Sequence, residues 1–376
     1  MTAWQRNTIS SPVAGLMIWC TDCGASGEIQ IYNGSDWVNF IGGTRQFTSM
    51  GLIGADIDGE AASDESGTSV SLSSDGSTVA IGAPFNDGTG SNAGHVRLYK
   101  NISGTWTQVG VDIDGEAADD QSGGSVSLSS DGSTVAIGAK FNDGNGSNAG
   151  HVRIYKNISG TWTQVGADID GEAASDESGW SVSLSSDGST VAIGAHHNGG
   201  NGSWSGHVRV YKNISGTWTQ VGADIDGEAA VDLSGGSVSL SSDGSTVAIG
   251  AIGNDGTGPV AGHVRVYEYI SSTSTWTQLG ADIDGEAAGD YSGRSVSLSS
   301  DGSTVAIGAE YNDGTASGAG HVRIYKNISG TWTQVGADID GAAGDYSGWS
   351  VSLSSDGSTV AIGADYNSGT GTQAGH

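Results

Sequence analysis

The sequence is poor in proline, cysteine and basic residues. Its 376 residues include 3 Pro, 2 Cys and 13 Lys and Arg, against 42 Asp and Glu, which gives a formal net charge of −29. So acidic a chain is not expected to bind nucleic acid, because phosphate backbones are recognised by basic surfaces. Two cysteines are too few for a disulfide framework. We predict that Cys20 and Cys23 form a local disulfide or are two inert thiols.

Long apolar runs are also missing. No stretch approaches the roughly 20 apolar residues of a transmembrane helix, so we expect no membrane-spanning segment. Residues 1–11 lack the basic start and apolar stretch of a secretory signal. The sequence is therefore expected to be either a cytoplasmic protein or a fragment of a longer chain. The abrupt far end favours the fragment.

Glycine, by contrast, is abundant, with 65 residues that recur at a fixed period. Without a period, this much glycine would be typical of a low-complexity chain. Here a segment of about 56 residues returns almost unchanged, with units that start at residues 55, 111, 167, 223, 281 and 337. We predict one repeat domain over residues 51–376, preceded by an N-terminal leader over residues 1–50.

Each unit predicts four short antiparallel strands. In the first unit they span 69–74, 78–83, 95–100 and 105–109, with period-two alternation or β-branched and aromatic enrichment. The turns Ser-Asp-Gly and Asn-Ile-Ser-Gly suit hairpins. Repeated units of this kind, without helical periodicity, predict an all-β fold: a β-propeller of six or seven four-stranded antiparallel blades. A linear β-solenoid is the alternative.

The sixth unit is incomplete, and the leader contains a candidate for its missing strands. Residues 27–37 align with 94–106, so that Tyr32 falls on Tyr99. A hairpin within 27–40 would complete the sixth blade and leave no open sheet edge at the seam. The alternative is an independent leader, with further repeats beyond the last residue.

Most of the acidic residues fall in loops that an up-and-down sheet brings to one face. These are the loops that enter each blade and the middle loops, which join the second strand to the third. Crowded carboxylates destabilise the compact state unless cations, protons or a basic partner compensate them. The first entering loop contains Asp56, Asp58, Glu60 and Asp64, and this oxygen-rich set predicts calcium binding. The alternative is that Asp and Gly only form turns and keep the chain soluble.

The carboxylates recur in the later units. The predicted metal ligands are Asp56, Asp58, Glu60, Asp64, Asp112, Asp114, Glu116, Asp168, Asp170, Glu172, Asp224, Asp226, Glu228, Asp282, Asp284, Glu286, Asp338 and Asp340.

Two positions on the loop-rich face differ between units. One holds Thr68, Gly124, Trp180, Gly236, Arg294 and Trp349. The other holds Pro84, Lys140, His196, Ile252, Glu310 and Asp365. Aromatic side chains on a polar face are typical of carbohydrate or peptide binders. We therefore predict a ligand face that includes Trp180, Trp204, Arg294 and Trp349.

Catalytic motifs are absent from the sequence. The third strand of each unit opens on a histidine (His95, His151, His207, His263, His321 and His376), which we expect to pack between blades. Six symmetric copies do not supply the single mixed constellation that catalysis requires. We find no nucleophile elbow, phosphate loop or metalloprotease helix either. The protein is predicted not to be an enzyme.

The units contain Ser-Gly-x-Ser-Val and Val-Ala-Ile-Gly-Ala, and the first ends in Gly82-Ala83-Pro84. Over residues 55–376 this resembles the FG-GAP repeat of the integrin α-chain propeller, in its bacterial variant. The resemblance implies an extracellular, usually seven-bladed propeller for adhesion or recognition, with ligands on the face of the entering and middle loops. The family's calcium loop lies between the first and second strands, where this sequence has only residues 73–77. That calcium site is not carried over.

Residues 13–40 resemble a leader segment of surface proteins from marine Bacteroidetes, which favours an independent leader. Together these features predict a non-catalytic recognition or adhesion propeller that is extracellular or at the cell surface. We expect it to be a monomeric domain of a larger protein, with a protein or carbohydrate as its partner. A structural spacer is the alternative, and a propeller-based hydrolase would need a mixed catalytic constellation in one blade.

Overall fold

The computed structural model describes residues 53–368 and 375–376, together with the backbone of three strands in the leader. The chain forms two compact units, Met1–Ile53 and Gly54–His376, and each is considered by itself. In the first, β1 (Met17–Cys20), β2 (Glu28–Tyr32) and β3 (Trp37–Asn39) form an antiparallel sheet in that order. Whether β2 and β3 complete the sixth blade stays a prediction. The state of the two cysteines lies outside the described residues.

The second unit consists of six consecutive antiparallel sheets, and its described residues form no helix. The first strands are β4 (Ser69–Leu72), β9 (Ser125–Leu128), β14 (Ser181–Leu184), β19 (Ser234–Leu240), β24 (Ser295–Leu298) and β29 (Ser347–Leu353). The second strands are β5 (Thr78–Ala83), β10 (Thr134–Ala139), β15 (Thr190–Ala195), β20 (Thr246–Ala251), β25 (Thr304–Ala309) and β30 (Val360–Ala364).

Third and fourth strands are described in five of these sheets. The third strands are β6 (His95–Ile102), β11 (His151–Ile158), β16 (His207–Ile214), β21 (His263–Ile270) and β26 (His321–Ile328). The fourth strands are β7 (Thr105–Gln108), β12 (Thr161–Gln164), β17 (Thr217–Gln220), β22 (Thr275–Gln278) and β27 (Thr331–Gln334). The all-β prediction with repeated four-stranded sheets is confirmed. The predicted end of the third strand at residue 100 is wrong, because β6 continues to Ile102. The turn between the third and fourth strands is therefore shorter than predicted.

Each of the five sheets also has a fifth strand of two residues, which the sequence analysis missed. These strands are β8 (Ile113–Asp114), β13 (Ile169–Asp170), β18 (Ile225–Asp226), β23 (Ile283–Asp284) and β28 (Ile339–Asp340). In the first sheet, β7 pairs with the end of β6 and β8 pairs with its start, where His95 lies opposite Asp114. The entering loop of each later unit therefore extends the edge of the sheet before it.

The turn between the first and second strands is closed by its own side chains. Ser73 Oγ donates a hydrogen bond of 2.7 Å to Asp75 Oδ1, and the Ser77 amide donates to the same oxygen at 2.9 Å. These bonds lower the pKa of Asp75 to about 2. Gly76 takes the left-handed φ of 67° that the turn requires. The short segment is thus a hydrogen-bonded turn.

The hydrophobic core lies between consecutive sheets. Leu98 of the first sheet packs with Leu128, Val135 and Ile137 of the second, and all four are at most 7% exposed. Each fully buried side chain of this size contributes about 1.5–3 kcal/mol. The first strands of neighbouring sheets also contact one another, so they line the inside of the array. Leu72, the counterpart of Leu128, is 59% exposed, because no other described sheet of this unit covers that face of β4.

Candidate ligand and metal sites on the loop-rich face

The entering and middle loops meet at one end of each sheet, as expected. Asp64 in the first entering loop accepts a hydrogen bond of 2.9 Å from Asn86 Nδ2 in the middle loop. The amide of Ala61 donates to the same carboxylate oxygen at 3.1 Å. Asp64 is 4% exposed, so it holds the two loops together. Its counterparts make the same bond in four of the other five units: Asp120, Asp176, Asp290 and Asp345.

The predicted carboxylates of one loop are divided between two histidines. Glu60 Oε2 lies 3.8 Å from His95 Nδ1, and Asp112 Oδ2 of the next unit lies 3.8 Å from the same nitrogen. We call this set of Glu, His and Asp the interblade set. The other interblade sets, with distances of 3.8–4.0 Å, are Glu116/His151/Asp168, Glu172/His207/Asp224, Glu228/His263/Asp282 and Glu286/His321/Asp338. The Asp and Glu oxygens and the His nitrogen could together hold a metal ion.

Neighbouring side chains fix the carboxylates of the interblade sets. Arg97 Nη1 lies 3.7 Å from Glu60 Oε1, and its Nη2 donates a 2.6 Å hydrogen bond to the carbonyl of Asp58. In the next interface, Gln164 Nε2 donates to Asp168 Oδ1 at 2.6 Å. Five further predicted ligands lie in the fifth strands, namely Asp114, Asp170, Asp226, Asp284 and Asp340. Two others, Asp56 and Asp58, lie outside any strand.

Burial sets the protonation state of the interblade histidines. His151 and His207 are each 1% exposed, and burial, reinforced by the adjacent Arg153 and Arg209, lowers the pKa of both to about 4. The two imidazoles are therefore neutral at pH 7 and keep a lone pair. Burial also raises the pKa of Glu116 and Glu172.

The variable positions bring cations onto aromatic rings across blade boundaries. Lys140 Nζ lies 4.2 Å from the ring centroid of Trp180 in the next unit. Arg294 Cζ lies 4.1 Å from the ring centroid of Trp349, again in the next unit, and its Nε is 3.3 Å from Glu310. Such cation–π contacts stabilise by about 0.5–2 kcal/mol. Three of the four predicted ligand-face residues thus take part in two cation–π contacts between consecutive units, with the cation supplied from a different position of the repeat in each.

The fourth predicted residue, Trp204, belongs to a cluster found in the third unit. Its ring stacks on His197 at 5.2 Å between centroids, and His197 lies 3.9 Å from His196. Glu177 Oε1 is 3.0 Å from His197 Nδ1, and Glu177 Oε2 is 3.9 Å from His196 Nε2. Burial lowers the pKa of His196 to about 3, helped by the positive charge of nearby groups. The sequence analysis noted His196 only as a variable position. The consecutive histidines were the signal that could have revealed the cluster.

A row of tyrosines crosses the fifth and sixth units and was also missed. The ring centroids of Tyr291 and Tyr311, Tyr311 and Tyr346, and Tyr346 and Tyr366 are separated by 5.0–5.1 Å. Beside them lies a groove of about 620 Å³. Its lining includes Tyr311, Tyr346, Glu286, Asp290 and Asp313.

Six repeated antiparallel sheets, packed through their first strands, define a β-propeller. The family model described as "FG-GAP repeat" matches residues 56–99, 162–211 and 332–376. The chain therefore contains segments that match the FG-GAP repeat, and the resemblance inferred from the repeat motifs is confirmed. No curated protein matches the chain in sequence. No helix among the described residues is long and apolar enough to cross a membrane.

Three solved structures are similar to this chain at low sequence identity. Hydrazine synthase of Kuenenia stuttgartiensis is 14% identical with a TM-score of 0.51, over 83% of this chain and 78% of that chain. A putative 6-phosphogluconolactonase from Bacteroides uniformis is 11% identical with a TM-score of 0.44, over 90% and 95% of the two chains. The periplasmic gluconolactonase PpgL of Pseudomonas aeruginosa is 13% identical with a TM-score of 0.44, over 90% and 96%. The similarity to hydrazine synthase concerns the fold alone, and none of the three structures carries an activity to this chain.

Proposed function

We propose that this protein is a non-catalytic recognition propeller, extracellular or displayed at a cell surface, that binds a carbohydrate or protein ligand on its loop-rich face. The observation that carries the proposal is the set of exposed aromatic side chains on that face. Trp204 is 51% exposed, Trp349 is 41% exposed, and Tyr311 and Tyr366 are each 43% exposed. FG-GAP repeats are typical of extracellular proteins, which supports the location.

The chemistry around these rings suits recognition. Trp349 is held from behind by Arg294, so its ring is fixed before any ligand arrives, which lowers the entropy cost of binding. The groove beside Tyr311 and Tyr346 has a volume within the 300–1,000 Å³ typical of ligand pockets. Its carboxylates, Asp290 and Asp313 among them, accept hydrogen bonds from hydroxyl or ammonium groups. Sugars and basic peptide segments carry such donors next to apolar surface.

The repeated character of the titratable groups supports a role without catalysis. The interblade sets occur five times with nearly the same distances. Catalytic sites instead combine different groups at one place, with a nucleophile and its base within hydrogen-bond reach. We assign the interblade sets to holding the blades together.

The interblade sets also support uptake of a divalent cation, and calcium is the proposed ion. Calcium would neutralise carboxylates that repel one another within each set. An imidazole nitrogen in every set favours zinc as the competing ion. Thermal unfolding in millimolar calcium, in magnesium, in zinc and in chelator, at matched ionic strength, tests the choice. A rise in Tm that occurs only with calcium supports calcium as the bound ion. A rise that occurs only with zinc makes zinc the bound ion instead, and identical curves contradict cation binding.

The ligand is sought by screening the purified chain on glycan arrays and against extracellular protein libraries. A recognition propeller should retain one chemical class of ligand. A structural spacer should retain no compound more strongly than the unfolded chain does. Retention of a glycan and retention of a protein identify the two partner classes. Turnover of a retained compound would contradict the non-catalytic assignment.

A further inference from the structure

We propose that Glu177, His196 and His197 form a binding site for one first-row transition-metal ion, with Zn²⁺ as the representative ion. The site lies in the third unit and is separate from the five interblade sets. It rests on the side-chain geometry of that unit, independently of whether the loop-rich face binds a ligand.

The three side chains converge. One ligand atom from each lies within 4.8 Å of the others, and the Glu177–His197 pair is already at 3.0 Å. Zinc bonds nitrogen and carboxylate oxygen at about 2.0–2.2 Å, so two ligands of one ion are separated by about 3–3.5 Å. The separation of 3.9 Å between Glu177 Oε2 and His196 Nε2 exceeds this by about 0.4 Å, which a small rotation of the Glu177 carboxylate would close.

The imidazole of His196 is held in place and lacks a partner. Its ring lies 4.1 Å from the Trp180 ring on one side and 3.9 Å from the His197 ring on the other. The side chain is only 9% exposed, yet its Nδ1 has no hydrogen-bond partner among the described residues. A buried polar atom without a hydrogen bond lowers stability. The other ring nitrogen, Nε2, faces Glu177 Oε2 at 3.9 Å, beyond hydrogen-bond distance, and is the atom that would coordinate the ion.

The fold brings the same two positions together in the third, fifth and sixth units, and among these three only the third has metal-binding side chains there. Counterparts of Glu177 and His197 are Tyr291 and Tyr311 in the fifth unit and Tyr346 and Tyr366 in the sixth, whose rings contact at 5.0–5.1 Å. In the first unit the corresponding residues are Glu65, Pro84 and Phe85. The third unit thus replaces an aromatic contact by a carboxylate and an imidazole, and adds a second imidazole beside them.

The composition of the cluster selects the class of ion. Two nitrogens and one oxygen suit zinc, cobalt, nickel and copper better than calcium, which prefers oxygen ligands. Three protein ligands leave a position for water or for a donor from outside. The cluster is accessible from solvent, since His197 is 27% exposed and the adjacent Trp204 is 51% exposed. Glu177 supplies the negative charge that offsets Lys140, whose ammonium lies over Trp180.

The test is metal binding by the full chain, with Co²⁺ as a spectroscopic probe and Zn²⁺ as a competitor. We compare wild type with His197→Ala, His197→Gln and Glu177→Gln. Glu65→Gln is the matched control, because the counterparts of His196 and His197 in its unit are Pro84 and Phe85. Wild type and Glu65→Gln should show a visible Co²⁺ absorption band and saturable quenching of tryptophan fluorescence. Zn²⁺ that displaces Co²⁺ from this site should reverse the tryptophan quenching, because Trp180 and Trp204 flank the site.

The three site variants should weaken Co²⁺ and Zn²⁺ binding at this site at least tenfold, while their circular dichroism and metal-free Tm match the wild type. The interblade sets are unaltered in every variant, so any Co²⁺ that binds there contributes equally to all samples. Equal affinity, stoichiometry and spectra in wild type and all site variants would overturn the proposal. The readout is metal binding alone, so the result is independent of any ligand search.

Discussion

Trp162 Nε1 donates a hydrogen bond of 2.8 Å to the main-chain carbonyl of Val109, which belongs to the preceding unit. The same bond recurs from Trp218 to Val165, from Trp276 to Val221 and from Trp332 to Leu279. Each of these rings also packs on the core between its sheet and the one before. Tryptophan therefore fixes the position of each blade on its neighbour through both apolar contact and a directional bond.

Replacing Trp218 by Phe should lower the free energy of unfolding by about 1–3 kcal/mol, because the ring contact is largely kept while the Val165 carbonyl loses its donor. Trp204→Phe is the control, since Trp204 lies exposed on the loop-rich face and should change stability by under about 0.5 kcal/mol. Urea denaturation measures both variants. Equal losses in the two would contradict the interblade role of the repeat tryptophans.

Asp176 should act as a loop clamp rather than as a calcium ligand. It is 3% exposed and accepts hydrogen bonds from Asn198 Nδ2 at 3.0 Å and from the Ala173 amide at 2.9 Å. Asp176→Ala leaves these donors without a partner and should destabilise the chain by about 1–3 kcal/mol. Thermal and urea unfolding should give the same loss in calcium and in chelator. A loss seen only with calcium present would instead make this residue a metal ligand.

Gly194 in β15 lies against the neighbouring blade. A Cβ at this position would overlap the main-chain carbonyl of Gly235 in the next unit. Gly194→Ala should therefore force the two sheets apart and lower stability by about 1–3 kcal/mol or more. Gly236→Ala is the matched control, because its Cβ would come no closer than 3.4 Å to any atom and other units carry larger residues there. Similar melting temperatures for both variants would contradict this packing.

Stability should fall as the pH decreases from 7 to 5. The folded pKa of His151 and His207 is about 4, below the unfolded value of about 6.5, so the unfolded chain binds protons first in this window. Each histidine should cost up to about 1.4 kcal/mol per pH unit. The raised pKa of Glu116 and Glu172 has the opposite effect on stability near pH 5, because there the folded chain binds protons before the unfolded chain does. Urea midpoints at pH 7, 6 and 5 measure the effect, and a constant midpoint would contradict it.

Much of the blade could be predicted from the sequence because its signals are local. Period-two alternation located the second strand at 78–83 within one residue, and Ser-Asp-Gly fixed the turn before it. Contacts between units could not be predicted in this way. The fifth strand β8 pairs with the sheet of the preceding unit, and its two residues carry no strand pattern of their own.

The same reason explains the partial success at the candidate sites. Glu60 and Asp112 were correctly singled out as charged loop residues, but their convergence on His95 depends on how two consecutive units pack. Glu177 and His197 lie in different loops, so their contact follows from the sheet topology rather than from spacing along the chain. Trp180 and Trp349 stood out because they break the repeat, and such departures are visible in a single sequence.

We propose that the exposed aromatic side chains on the loop-rich face bind the ligand. The most direct test is the Kd of the ligand retained in the screen, measured for wild type and for the double variant Trp204→Ala/Trp349→Ala. The control is Ile158→Ala/Ile214→Ala, because both isoleucines are 58% exposed at the opposite end of their sheets. We expect the tryptophan variant to lose at least about tenfold in affinity, as each exposed anchor contributes more than about 1 kcal/mol, with the isoleucine variant unchanged. Unchanged affinity in the tryptophan variant, or an equal loss in both, would contradict the assignment of the binding face.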